Sequence, residues 1–150
     1  MLYLPGMKTW LIALSVCWLG MAVPAAAQLP LDPQPRKVVW KQGVFNLKKK
    51  TYIFADDSQG AKPAARTLRD YCRKSLGKKL TDPHSLPDKG NRIAFYGDDL
   101  LPEGGYALRM YKDMIEVRAG SSEGFDAAVH TLMQLMRTRM VPLVNVDDEP

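Results

Sequence analysis

The sequence predicts an α+β domain in which a mixed or antiparallel sheet carries two amphipathic helices on one face. Three observations predict it. Short stretches with two-residue apolar alternation recur along the chain, two stretches switch to a helical period, and the two kinds follow in the order strands, helix, strand, hairpin, helix, extended piece.

Taken in order, LPLDPQPRK holds Pro30, Pro33 and Pro35, which cannot join a regular ladder, so residues 28–36 read as an extended lead-in. VVW and VFNL, split by Gln42-Gly43, read as two short strands with a turn between them, and TYIFA at Thr51 to Ala55 as a third, together forming a meander. From Ala61 to Leu76 the period changes. Ala61, Ala64, Ala65, Leu68, Tyr71, Cys72 and Leu76 share one side at 100° per residue, and Lys62, Arg66, Asp70, Arg73 and Lys74 take the other. Pro63 is tolerated in a first turn and Gly77 suits a C-terminal cap.

GKKLTDPHSLPDKG, with two prolines, reads as a surface loop, and RIAFY at Arg92 to Tyr96 as a strand. Tyr106, Leu108 and Met110 alternate with Ala107 and Arg109, and beyond Lys112-Asp113 Ile115 and Val117 alternate with Glu116 and Arg118. That is a hairpin with one buried face, and Lys-Asp is a poor two-residue turn, so a longer loop is expected. Ser121 or Ser122 can cap the second helix, with Glu123 near its positive end. On it Phe125, Ala128, Val129, Leu132, Met133, Leu135, Met136 and Met140 span about 160° of arc. Asp126, His130, Gln134 and Arg137 lie opposite.

The 150 residues have room for one domain. The opening, with Lys8, an apolar run from Trp10 to Val23 and small residues at Ala25 and Ala27, reads as a secretory signal over residues 1–27. Met7-Lys8 is an alternative start to Met1. The run is too short for a membrane span, and a lipid-anchored form through Cys17 is disfavoured because Val16 stands where a small residue is needed. The expected location is therefore periplasmic or extracellular, with no membrane partner once the leader is gone.

Removing residues 1–27 takes away Lys8 alone among the charged residues and leaves 123 residues with 20 basic and 16 acidic side chains, a net charge of +4. That excess is ordinary for a solvated surface and argues against a nucleic-acid partner. LKKK at Leu47 to Lys50 has no interleaved aromatic and reads as turn residues. With Cys17 lost, Cys72 has no partner for a disulfide and falls on the apolar side of the first helix, where a thiol is an inert core group.

Motifs for chemistry are sparse. His84 and His130 have no partners at ligand spacing, so no metal and no cofactor are expected. Asp56-Asp57 and Asp98-Asp99 read as turn acids rather than catalytic carboxylates, which need a shaped pocket. The aromatics Trp40, Tyr52, Tyr71, Tyr96, Tyr106 and Tyr111 are scattered over alternating faces and do not predict a sugar-stacking platform.

DPQPRKVVWKQGVFNL, NRIAFY and above all LPEGGYALRMYKDMIEVRAGSSEGFDAAVHTLMQLMRT followed by VPLVNVDDEP resemble the domain that precedes the barrel in family 20 glycoside hydrolases, the β-N-acetylhexosaminidases. The likeness covers residues 30–150 and is most specific from Gly105 to Thr138. It implies an accessory domain over residues 37–143, a truncated junction at 144–150, and as partner a catalytic barrel of roughly 250 residues that this chain does not hold. The family's reaction, hydrolysis of terminal β-linked N-acetylhexosamine, proceeds by substrate assistance with an Asp-Glu pair.

Asp148-Glu149 is not given that role, because the family's pair follows glycines at a barrel strand and this one precedes Pro150. The resemblance implies a zincin-like shape without a metal, and no catalytic, cofactor or metal residue is assigned. Without a barrel, the wide apolar arc of the second helix is expected to leave an exposed face that binds dyes or self-associates. A free-standing carbohydrate- or partner-binding module, or the accessory domain of another glycosidase family, are the alternatives.

Overall fold

A computed structural model describes residues 30–48 and 50–150; the expected signal at 1–27, with Cys17, and Lys49 lie outside the described residues. The elements are β1 (Lys37–Asn46), β2 (Thr51–Ala55), α1 (Ala61–Ser75), β3 (Asn91–Gly97), β4 (Tyr106–Met110), β5 (Met114–Ala119), α2 (Ser122–Leu135) and β6 (Met140–Asp148). They build one six-stranded mixed sheet in the order β1-β6-β4-β5-β3-β2. β2 and β3, and β3 and β5, run parallel, while the pairs β4/β5, β4/β6 and β1/β6 are antiparallel. This is the α+β class read from the sequence: α1 packs on β2 and β3, α2 on β4 and β5, and the helices touch each other.

Each helix buries the stripe its period marks out. On α1, Ala61, Ala64, Ala65, Leu68 and Cys72 are buried. Gly77, at φ +64°, turns the chain so that Lys78 N–H returns to the Cys72 carbonyl at 3.0 Å, as a left-handed cap allows. On α2 the cap is Ser121, whose hydroxyl accepts from Gly124 N–H at 3.3 Å and from Gly104 N–H at 3.0 Å. Tyr106 and Thr131 join their hydroxyls at 2.6 Å inside the core, so neither buried oxygen is left unpaired. Phe95 and Phe125 meet between sheet and α2 with ring centroids 6.2 Å apart.

The β4–β5 hairpin follows its alternation. Ile115, Val117 and Ala119 are buried, the residues between them are half-buried, and three residues, Tyr111 to Asp113, connect the strands. Four sequence expectations are corrected. First, VVW and VFNL belong to one strand: β1 pairs with β6 throughout and absorbs two extra residues between Trp40 and Val44, where Gly43 at φ +103° supplies the bulge. Second, β1 and β2 form no meander, because they lie at opposite edges of the sheet.

Third, α2 ends at Leu135, and Met140 opens β6 on the surface at 51% exposure. Fourth, the arc of α2 leaves no free apolar face. Phe125, Ala128, Val129, Leu132, Leu135 and Met136 all turn toward the domain's own sheet and α1. The boundary drawn at residue 143 also falls inside β6, whose Val144 and Val146 are buried.

The two edges of the sheet differ. Thr81, in the proline loop, bridges to β2: Ile53 N–H donates to the Thr81 carbonyl and Thr81 N–H to the Thr51 carbonyl, both at 2.9 Å. At the other edge β1 enters beside the end of β6, with Lys37 opposite Asp147 and Arg36 N–H donating to Asp148 Oδ1 at 3.2 Å. The lead-in folds back over α2. Leu31 is buried, and Gln134 exchanges bonds with the Asp32 backbone, at 2.9 and 2.8 Å.

Candidate functional site

Three concavities lie side by side between α1 and the proline loop. One of about 140 Å³ is floored by Ile53, Ala55 and Ala65 and walled by Lys62, Arg66, Arg69 and Asp82. Its neighbours, about 480 and 400 Å³, run toward Arg73 and Lys79 on one side and toward Asp57 and His84 on the other. Their charges are largely matched by salt bridges: Lys62 with Asp57, Arg69 with Asp82 at 3.2 Å, Arg73 with Asp70 at 3.2 Å. These are solvent-exposed pairs, individually worth little. The third of these depressions is lined by Asp56, Asp57 and Asp82, of which Asp57 is held by Lys62 and Asp82 by Arg69.

Three of the acids singled out in the sequence, Asp56, Asp98 and Asp148, accept hydrogen bonds from backbone N–H groups. Burial pushes the Asp56 carboxyl up, but bonds from the Ser58 hydroxyl, Gly97 N–H at 2.9 Å and Ser58 N–H at 3.0 Å, with Arg118 nearby, outweigh it and hold the group below its ordinary 3.8. The carboxylate thereby ties the end of β2 to the end of β3. Because the folded value is depressed, this stabilisation is full above 3.8 and is lost as the pH falls through the lower folded value. Asp56→Ala is therefore expected to cost about 1–2 kcal/mol at neutral pH by urea denaturation, and the gap to wild type should close in acid; a gap that stays constant with pH would refute the assignment.

Asp57 pairs with Lys62, and Asp98 accepts from Leu100 N–H at 3.0 Å in a turn. Asp148 ends β6 opposite Tyr106, and Glu149 is exposed. His84 lines one depression beside Asp57 and Asp82, and His130 sits on the outer side of α2 with Nδ1 3.1 Å from Gln134 Nε2. Among the described residues no three of His, Cys, Asp and Glu gather as metal ligands. Cys72 is fully buried and its thiol is pushed up to about 12 by that burial, which removes it as a nucleophile.

The sheet surface away from the helices carries side chains whose pairing the sequence did not make explicit. Arg109 reaches Asp147 at 2.6 Å, Arg118 pairs with Glu116, and the Arg118 guanidinium lies 5.4 Å from the Tyr96 ring centroid. The signal was present as the charged positions that alternate with the buried ones in β4 and β5, but strand neighbours were needed to match them. Phe54 and Tyr96 meet here at 52° with centroids 6.1 Å apart, a tilted pair rather than a flat stacking platform. Trp40, Tyr71 and Tyr106 pack on the helix side, with the Tyr71 hydroxyl 3.2 and 3.1 Å from the Met133 and Met136 carbonyls.

A family model described as glycosyl hydrolase family 20, domain 2, matches residues 28–149. Among solved structures, the family 20 exo β-N-acetylglucosaminidase of Vibrio harveyi, in complex with N-acetylglucosamine, is 25% identical with a TM-score of 0.69, over 81% of this chain and 19% of that one. The N-acetyl-β-hexosaminidase of Streptomyces plicatus is 23% identical with a TM-score of 0.65, over 79% of this chain and 26% of that one. A structure described as CpGH84D shares the fold at 8% identity and a TM-score of 0.63 over 82% of this chain and 24% of that one. Among curated protein sequences there is no match.

The chain thus spans about a fifth to a quarter of the solved enzymes it resembles. The fold alone extends to a chain only 8% identical, so it is the sequence match that decides. With nearly all of the domain covered by that match, the chain belongs to glycosyl hydrolase family 20 and carries the family's domain 2.

Proposed function

We propose that the chain is exported and acts as the non-catalytic support domain of a β-N-acetylhexosaminidase, packing against a catalytic barrel that hydrolyses terminal β-linked N-acetylhexosamine. The observation that carries this reading is the match to domain 2 across residues 28–149. The paired charges of the depressions and the structural use of Asp56, Asp98 and Asp148 support a scaffold role and give no reason to place the reaction on this domain. The charged, small-residue-flanked opening supports export with cleavage before Gln28.

One preparation tests both parts. Expressed from Met1 in a bacterium, the protein should be recovered from the periplasm with Gln28 at its N-terminus. Assayed free of host enzymes, it should release no nitrophenol from 4-nitrophenyl N-acetyl-β-glucosaminide. Cytoplasmic retention with an intact leader would refute the export reading, and turnover abolished with the protein's own depletion would refute the support role.

A further inference from the structure

The smallest of the depressions between α1 and the proline loop has a cationic wall over an apolar floor. Lys62, Arg66 and Arg69 follow one another at four- and three-residue spacing along one stripe of α1, and they line it with a single carboxylate, that of Asp82. Arg66 has no carboxylate within 4.0 Å among the described residues. Lys62 and Arg69 are held by Asp57 and Asp82, whose side chains are 93% and 66% exposed. Arg69 reaches its partner through one nitrogen, Nη1, which leaves other guanidinium donors for a ligand. Exposed pairs of this kind are weak, so a better-placed anion can take up the donors they occupy.

The edge of β2 adds a neutral donor. Ile53 N–H and the Thr51 carbonyl point away from β3 to Thr81, whereas Asp56 N–H points the other way, to the Phe95 carbonyl of β3 at 3.0 Å. Strand alternation therefore turns the Ala55 N–H to the Thr81 side, past the one rung that Thr81 supplies, where it meets no acceptor among the described residues. Ala55 itself lines the depression. At about 140 Å³ the space falls below the roughly 300 Å³ of pockets that enclose a whole small molecule, and its neighbours offer about 480 and 400 Å³. One compact group fills the small space while the rest of a ligand lies alongside. Three cations around it match the three terminal oxygens of a sulfate or phosphate ester better than the two oxygens of a carboxylate.

We infer that this depression is a binding site for a sulfate or phosphate group, free or esterified to a sugar, with Arg66 as its main contact and Lys62, Arg69 and the Ala55 N–H as further donors. It is independent of the support role, which needs no ligand on this domain.

The test is a titration of ¹⁵N-labelled residues 28–150 with sodium phosphate, sodium sulfate, sodium acetate, N-acetylglucosamine 6-sulfate and plain N-acetylglucosamine, with chloride keeping the ionic strength constant. Amide shifts should saturate with phosphate and sulfate and centre on Ala55, Arg66 and Arg69, and the plain sugar should cause none. Tighter binding of the sulfated sugar than of inorganic sulfate would assign the group to a glycan; equal binding would assign the free ion. Arg66→Glu should weaken binding roughly tenfold or more with an unchanged melt, because Arg66 is exposed and holds no acid in place. Lys74→Glu, the same change of charge on α1 outside the depression, should leave binding intact. Shifts that spread over the basic surface without saturating, equal loss with Lys74→Glu, or acetate binding as tightly as phosphate would each overturn the assignment.

Discussion

Gly124→Val is expected to destabilise the domain by about 3 kcal/mol, and even Gly124→Ala should lose stability. Local rules predict the opposite for alanine, which is favoured over glycine inside a helix by about 1 kcal/mol. Packing reverses the sign. A β-carbon at Gly124 would stand within the contact radius of the Gly105 carbonyl oxygen and 3.1 Å from the Ala119 β-carbon. The obstacle is backbone at the start of β4, not the end of a flexible side chain, so α2 would have to lift from the sheet. For a domain of this size the valine variant should melt about 10 °C lower. A melting temperature within a degree of wild type for both variants would show that α2 stands farther from the Gly105 carbonyl.

Phe95→Ala should cost about 3–5 kcal/mol, the usual range for emptying a phenyl group from a core. Phe95 is fully buried at the middle of β3 and its ring meets Phe125 across the sheet–helix interface. Against a total stability of about 5–15 kcal/mol, that loss removes a large share of the folded population under mild stress. The measurement is the urea midpoint at unchanged slope. A cost below about 1 kcal/mol would mean that neighbouring side chains collapse into the space.

Those two sites also show what could be read from the chain. The Gly105–Tyr106 and Gly124–Phe125 pairs stood out in the sequence as part of a family likeness, and the structure gives their physical cause. Two glycines let β4 and α2 meet, while the aromatic after each enters the core. Hairpin and helix faces were legible because burial on one side imposes a period of two or 3.6 on residues close in sequence. Strand order was not legible. The alternation of Val38 and Trp40 says that β1 has an inner face, but nothing local says that its neighbour is β6, about a hundred residues onward.

The bulge was half legible. Gly43 was read as a turn because a glycine between apolar runs marks either, and only the partner strand decides. The helix end at Leu135 was missed for a similar reason: Met136 and Met140 continue the 3.6 period, yet Met140 is already in a strand. For the site, the turn acids Asp56 and Asp98 stand out in the sequence, but the backbone groups they hold do not, and the surface charges matched across strands depended on pairings invisible in one dimension.

The antiparallel entry of β1 beside the end of β6 has a mechanical consequence. Tension applied through the two flanking segments would load the Lys37–Asp147 pair first and then each rung after it in turn, a zipper opened from one end rather than a block sheared at once. Once the lead-in has let go of Gln134, β1 should peel away at low force and leave the other five strands and both helices assembled. A domain wired in this way yields at its tether before it yields at its heart.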